Sequence, residues 1–163
     1  EVAGIPLFIY VPGISPGVYD YLTSAVDVMP TVLDILKQDI PNVVEGESLL
    51  PKLYDPTLEG RDFTISSIPF ANPGDPIRAV DSLLRMLEVP TVTTITTLEW
   101  SLLYCPEAGK SKLYHLPSDP KQENNLITSR PDMAKELHLL LVQFMRHTRV
   151  PDHLLKPRLE LSL

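Results

Sequence analysis

Ile5-Pro6-Leu7-Phe8-Ile9-Tyr10-Val11 is a continuous apolar run closed by Pro12-Gly13. Its length and β-branching favour a strand buried on both faces. Such strands belong to parallel sheets, and a single one has nothing to pair with. Its partners therefore lie later in this chain or outside it. The chain begins at Glu1, and this strand starts almost at once, which reads as a cut made inside a longer chain. The run is far shorter than the roughly 20 residues a bilayer requires. No basic region precedes it and no small-residue cleavage site follows it, so it is not a signal peptide.

Proline decides how much regular structure can follow. The chain has 17 prolines against 7 glycines in 163 residues, which means many broken elements and extended connections. A helix is predicted over 28–37, capped by Asp27 with Pro30 in its first turn. Met29, Val32, Leu33 and Leu36 fall on one stripe that should face a sheet. The stretch 46–51 predicts a turn and a short helical piece. A strand candidate covers 63–68, a loop 72–76, and a weakly helical stripe 77–87. Strands are then expected over 91–97, 100–104 and 112–116, making an antiparallel meander. A strong helix follows from Asp132 to about Thr148, with Met133, Leu137, Leu140, Leu141, Phe144 and Met145 as its apolar stripe. Ser129 and Asp132 have capping-box spacing. The helix should pack across the meander, and 150–163 reads as a tail with two prolines.

The net charge is −7, from 14 Lys+Arg and 21 Asp+Glu. Nucleic-acid binding needs a basic footprint, and this chain has only a scattered one near its end. The single cysteine, Cys105, forms no internal disulfide, and no helix start or basic cluster adjoins it to stabilise a thiolate. It reads as structural. His115, His138, His147 and His153 include no pair at the i, i+4 spacing of a helical zinc site; they read as ordinary surface or half-buried side chains. Asp34 reads as solvated, Asp119 as an Asx-turn residue and Asn125 as a cap. The glycines are isolated and open no phosphate loop.

Two segments together resemble the C-terminal part of the sulfatase family, within the alkaline-phosphatase superfamily. The first runs from Pro6-Leu7 through Pro12-Gly13 and Pro16-Gly17 to Ser24-Ala25-Val26-Asp27-Val28-Met29-Pro30-Thr31-Val32-Leu33-Asp34. It is similar to the family's "P-L-x-x-x-x-P-G" strand followed by "S-x-x-D-x-x-P-T-L-L-x-L". Gly46-Glu47-Ser48-Leu49-Leu50-Pro51 then resembles "G-x-S-L-x-P-L-L". The second segment, Lys112-Leu113-Tyr114-His115-Leu116-Pro117-Ser118-Asp119-Pro120 through Asn125-Leu126, resembles "x-L-Y-D-L-x-x-D-P-x-E-x-x-N-L". His115 stands where Asp is usual and Gln122 where Glu is usual. Trp100-Ser101 resembles a strand that often reads "W-K". The segments come in family order.

The resemblance implies an α/β fold, here as an α+β piece: the last strand and helix of a sulfatase-like core, then a small antiparallel sheet with one long helix. It places the end of the core at 1–75 and the small subdomain at 76–163. The family's nucleophile, a formylglycine made within "[CS]-x-P-x-R", has no match at Cys105-Pro106-Glu107-Ala108-Gly109, and its "D-H-G" metal motif is absent. No catalytic or metal residue therefore carries over, and this chain alone is expected to be inactive and without cofactor. The whole protein would use formylglycine and calcium to hydrolyse sulfate esters, or phosphate or phosphonate esters as in some relatives. The implied partner is an N-terminal catalytic portion, with self-association through exposed core surface as another outcome. Lys110 and Lys112, in the turn that nears the active-site mouth in the family, are candidates for a substrate rim. Family members are often secreted, periplasmic or lysosomal. The rival reading is a free-standing interaction module with no catalytic parent.

Overall fold

The computed structural model describes residues 5–67 and 92–163. The chain divides into two compact units, Glu1–Thr64 and Ile65–Leu163. The expected boundary at 75/76, the loop 72–76 and the helix 77–87 lie outside the described residues.

The first unit is built on helices. A 3-10 turn, Ala25–Asp27, leads into α1, Val28–Ile35, where Pro30 takes a first-turn position that needs no N–H donor. The helix ends at Leu36, and Lys37 follows in a left-handed conformation (φ 54°). Helix α2, Leu50–Tyr54, has Pro51 in its first turn and contacts α1. Few side chains are buried here: Asp27, Pro30, Thr31 and Leu49.

The predicted strand over 5–11 does not form. A strand is held by ladder hydrogen bonds, and among the described residues of this unit the single antiparallel bridge is Leu22 with Arg61. The apolar run is consequently bare, with Phe8 90% and Tyr10 88% exposed. The α1 stripe is also uncovered: Met29, Val32 and Leu36 are exposed, so the sheet it was expected to face is not among the described residues.

The second unit holds the small sheet. Its order is β1 (Thr64–Ser67), β2 (Thr93–Thr96), β3 (Trp100–Tyr104) and β4 (Lys112–His115). The β2–β3 and β3–β4 pairs are antiparallel, as the meander predicts. Register places Ile95, Leu102 and Leu113 side by side across three strands, and all three are 0% exposed. Trp100 and Tyr104 share their face by the two-residue period of a strand.

Helix α3, Pro131–His147, packs against β2 and β3. It buries Ala134, Leu137, His138, Leu141, Val142 and Met145. Leu137, Leu141 and Met145 were expected there; Phe144 is exposed and Leu140 half-buried, because the buried stripe is rotated toward Ala134 and His138. The expected capping box at Ser129 does not form. Arg130 is the N-cap, without a side-chain cap bond, and the Ser129 hydroxyl donates to Leu126 O (3.1 Å). The expected tail is partly helical, as α4 (Asp152–Leu155) and a 3-10 turn, Lys156–Arg158. Among the described residues no helix is long and apolar enough to cross a membrane.

Candidate functional site

Asp27 is the most elaborately held side chain of the first unit. It occupies the N-cap position of α1, as expected, but its carboxylate makes no cap bond to that helix. Its backbone is already helical (φ −78°, ψ −16°), whereas a capping residue is normally extended. The side chain instead reaches backward and across. Oδ2 accepts the Ser24 N–H (2.8 Å) and Arg61 Nε (3.0 Å), and Oδ1 accepts the Glu47 N–H (2.9 Å) and an Arg61 terminal nitrogen. The carboxylate is fully buried, while the Arg61 side chain is 21% exposed. Burial alone would raise the Asp27 pKa; Arg61 and the N–H groups of Glu47 and Ser24 outweigh it and hold the carboxyl below its ordinary value.

A second carboxylate is close by in sequence but differently employed. Asp34, expected to be solvated, is half-buried and accepts the Ser48 hydroxyl (2.5 Å). Thr31 links the same pieces: its hydroxyl donates to Asp27 O (2.6 Å) and accepts the Leu49 N–H (2.9 Å). Asp27, Thr31 and Asp34 thus tie α1 and its lead-in turn to the 46–49 loop through Glu47, Leu49 and Ser48. This is a structural knot, with every carboxylate oxygen of Asp27 engaged by a donor.

Among the described residues, two of the cavities open in this unit. One, about 430 Å³, is lined by the 13–18 loop with Tyr19, Leu53, Tyr54 and Pro56. The other, about 280 Å³, lies among Leu7, Phe8, Ile9, Tyr19, Tyr21 and Leu53. Neither lining includes a carboxylate, imidazole, thiol or cation, so neither offers a general base or a metal ligand.

In the second unit the Asp119–Asn125 stretch is likewise scaffold. Asp119 closes its own loop by accepting the N–H groups of Asn124 (2.8 Å) and Glu123 (3.1 Å), which hold its carboxyl below the ordinary range. Asn125 Oδ1 accepts the N–H groups of Leu113 (3.0 Å) and Ile127 (3.2 Å), and the Leu126 N–H donates to Leu113 O. Together they cover the outer edge of β4, which would otherwise leave backbone groups unpaired. Asn125→Ala leaves two N–H groups without this acceptor and is expected to cost about 1–3 kcal/mol of stability, read from a shifted urea midpoint.

Lys110 and Lys112 belong to the 105–112 turn. Ser111 closes it: the Cys105 N–H donates to Ser111 Oγ (3.0 Å), whose hydroxyl donates to Cys105 O (3.2 Å). Gly109 takes φ +72°, a conformation glycine adopts without penalty. Lys110 pairs with Glu107 at 2.9 Å, both side chains being exposed. Lys112 opens β4 opposite Leu103 and is exposed. Cys105 is buried. The histidines do not converge: His115 lies on Trp100 (ring centroids 4.6 Å) and His138 on Tyr104 (4.7 Å). His138 is more buried than expected, and burial pushes its pKa down. Among the described residues no three His, Cys, Asp or Glu side chains could share a metal ion.

No family model matches the chain. An endo-4-O-sulfatase of Bacteroides thetaiotaomicron is 33% identical over 85% of this chain and 28% of its own length. An uncharacterized sulfatase of Escherichia coli, YdeN, is 28% identical over 90% of this chain and 30% of its own. Among solved structures, a phosphonate monoester hydrolase from Silicibacter pomeroyi superposes with a TM-score of 0.59 at 28% identity, covering 90% of this chain and 29% of the hydrolase. The chain therefore spans less than a third of the length of these relatives. The motif order, the helix with its 46–49 knot, the small antiparallel sheet and these likenesses agree: the chain belongs to the sulfatase family, as its C-terminal part.

Proposed function

We propose that the whole protein hydrolyses sulfate esters and that this chain supplies scaffold rather than the reacting groups. The observation that carries the proposal is the bare apolar surface of the first unit. Phe8, Tyr10, Val28, Met29, Val32 and Leu36 are all exposed. Soluble proteins rarely leave such surface uncovered, and the catalytic part of a sulfatase is the occupant proposed for it.

Calcium and formylglycine belong to the family, and the residues described here do not fit either. Cys105 is buried and followed by Pro106-Glu107 rather than by the family's nucleophile motif. Asp27, Asp34 and Asp119 are engaged by backbone N–H groups, a hydroxyl or a guanidinium, and among the described residues no three His, Cys, Asp or Glu side chains gather to hold a metal ion.

The phosphonate monoester hydrolase likeness supports a second reading, hydrolysis of phosphonate monoesters. The full-length protein assayed with 4-nitrophenyl sulfate, 4-nitrophenyl phosphate and 4-nitrophenyl phenylphosphonate separates them. The sulfate is expected to give the highest kcat/KM. A tenfold preference for the phosphonate would move the assignment to the second reading. For the rim, Lys112→Ala and Lys110→Ala are expected to raise KM for a substrate with an additional negative charge more than for the plain aryl sulfate. Lys112 should have the larger effect, because Glu107 already pairs with Lys110. Equal KM changes on both substrates would leave these as solvated turn lysines.

A further inference from the structure

Two buried rings in the second unit hold two backbone carbonyls of one late segment. His138 Nε2 lies 2.9 Å from Arg158 O, and the Tyr104 hydroxyl donates to Glu160 O (3.2 Å). The rings touch each other, with centroids 4.7 Å apart and planes at 41°. Tyr104 is 0% exposed and His138 6%. Tyr104 comes from β3 and His138 from α3, so the segment bridges the sheet and its covering helix. Arg158 adds a bond within the segment, from its guanidinium to Leu154 O (2.7 Å).

A carbonyl oxygen can only accept, so His138 Nε2 carries the proton. Burial favours the neutral ring, and charging it means adding a second proton at Nδ1. Burial opposes that charge and outweighs the Arg158 carbonyl, whose hydrogen bond favours it. From β3 the facing titratable group is Tyr104, and β2 carries none, being Thr93, Thr94, Ile95 and Thr96. From the docked segment come Arg158, a cation, and Glu160, which is exposed. From α4 come Asp152, paired with Lys156 at 3.6 Å, and exposed His153. On α3 itself, Ala134, Leu141 and Val142 lie one turn away and are apolar, and Lys135 is exposed. Among the described ion pairs none joins a carboxylate to His138.

We propose that segment 152–161 is a strap held over the sheet–helix unit by His138 and Tyr104, and that protonation of His138 loosens it. Undocking lets water reach the imidazolium, so acid favours the released form. The sign follows from linkage: the docked ring binds its proton less readily than a free one, so docking is full at high pH and weakens as pH falls below the free value. A free imidazole titrates near 6.5 and is about thirty to one protonated at pH 5.0; that ratio is the ceiling on release.

Hydrogen–deuterium exchange of the full-length protein tests this, with rates corrected for the intrinsic pH dependence of exchange. Protection of peptides covering 152–161 should fall about tenfold between pH 7.5 and pH 5.0, while β2–β4 peptides keep theirs. His138→Gln retains an N–H donor for Arg158 O but cannot charge, so its strap should stay protected at pH 5.0. An unchanged strap in the unmodified protein, or an equal fall in His138→Gln, overturns the proposal. Should that variant not fold, ¹⁵N-histidine NMR of the unmodified protein replaces it. The His138 and strap signals must then titrate with one midpoint, and separate midpoints overturn the proposal.

Discussion

Asp27→Asn is expected to destabilise the protein by about 3 kcal/mol at pH 7, measured by urea denaturation. Breaking a buried ion pair costs about 3–5 kcal/mol because the remaining charge is stranded. The lower end applies here, since Arg61 is 21% exposed and recovers part of its hydration. The amide also turns one acceptor into a donor, so it faces the Glu47 or Ser24 N–H, or Arg61, with the wrong polarity. The pH dependence distinguishes this account from simple loss of packing. The folded carboxyl titrates below its ordinary value of about 3.9. Its contribution is therefore complete above that value and is lost as pH falls through the folded pKa. The gap between the unmodified protein and Asp27→Asn should be widest at pH 6–7 and should shrink below pH 4. A gap that stays constant from pH 7 to pH 3 would mean the charge does not matter. Arg61→Lys should also lose stability, because an ammonium cannot engage both carboxylate oxygens as the guanidinium does.

The second unit was legible in the sequence because its signals are local. Ile95, Leu102 and Leu113 follow strand alternation, and Leu137, Leu141 and Met145 follow helical spacing; each set meets its partners within the same hundred residues. The first unit was legible in its helix and not in its strand. The run Ile5–Val11 has the composition of a doubly buried strand, but a strand is a property of a pair, and among the described residues no ladder partner is present. The Asp27 knot was misread for a different reason. An acid before an apolar helical stripe looks like a cap from sequence alone, and nothing local says that Arg61, 34 residues later, lies against it. Only the motif resemblance carried a signal, through the joint appearance of Asp27 with Gly46 and Ser48. The strap was missed because its two contacts are to backbone carbonyls, which leave no trace in residue identity.

Gly46→Ala is expected to destabilise the protein by about 3 kcal/mol or more, beyond the ordinary cost of an extra methyl group in a packed interior. A Cβ at this position would overlap the Val26 carbonyl oxygen and lie 2.5 Å from its carbonyl carbon. Both obstacles are backbone, and Val26 sits in the 3-10 turn that delivers Asp27, so neither a rotamer change nor a side-chain shift relieves the clash. The 46–49 loop has to move away, and that movement withdraws the Glu47 N–H from Asp27 Oδ1 and strains the Leu49 N–H bond to Thr31. Gly46 and Asp27 then act on one piece of structure, and their effects cannot add. Once Asp27→Asn has weakened the knot, the alanine has less left to displace. The double variant should therefore lose clearly less stability than the two single losses combined, with a coupling of about 1 kcal/mol or more. Strict additivity in urea denaturation would show that the close approach of Gly46 to Val26 is independent of the carboxylate it accompanies.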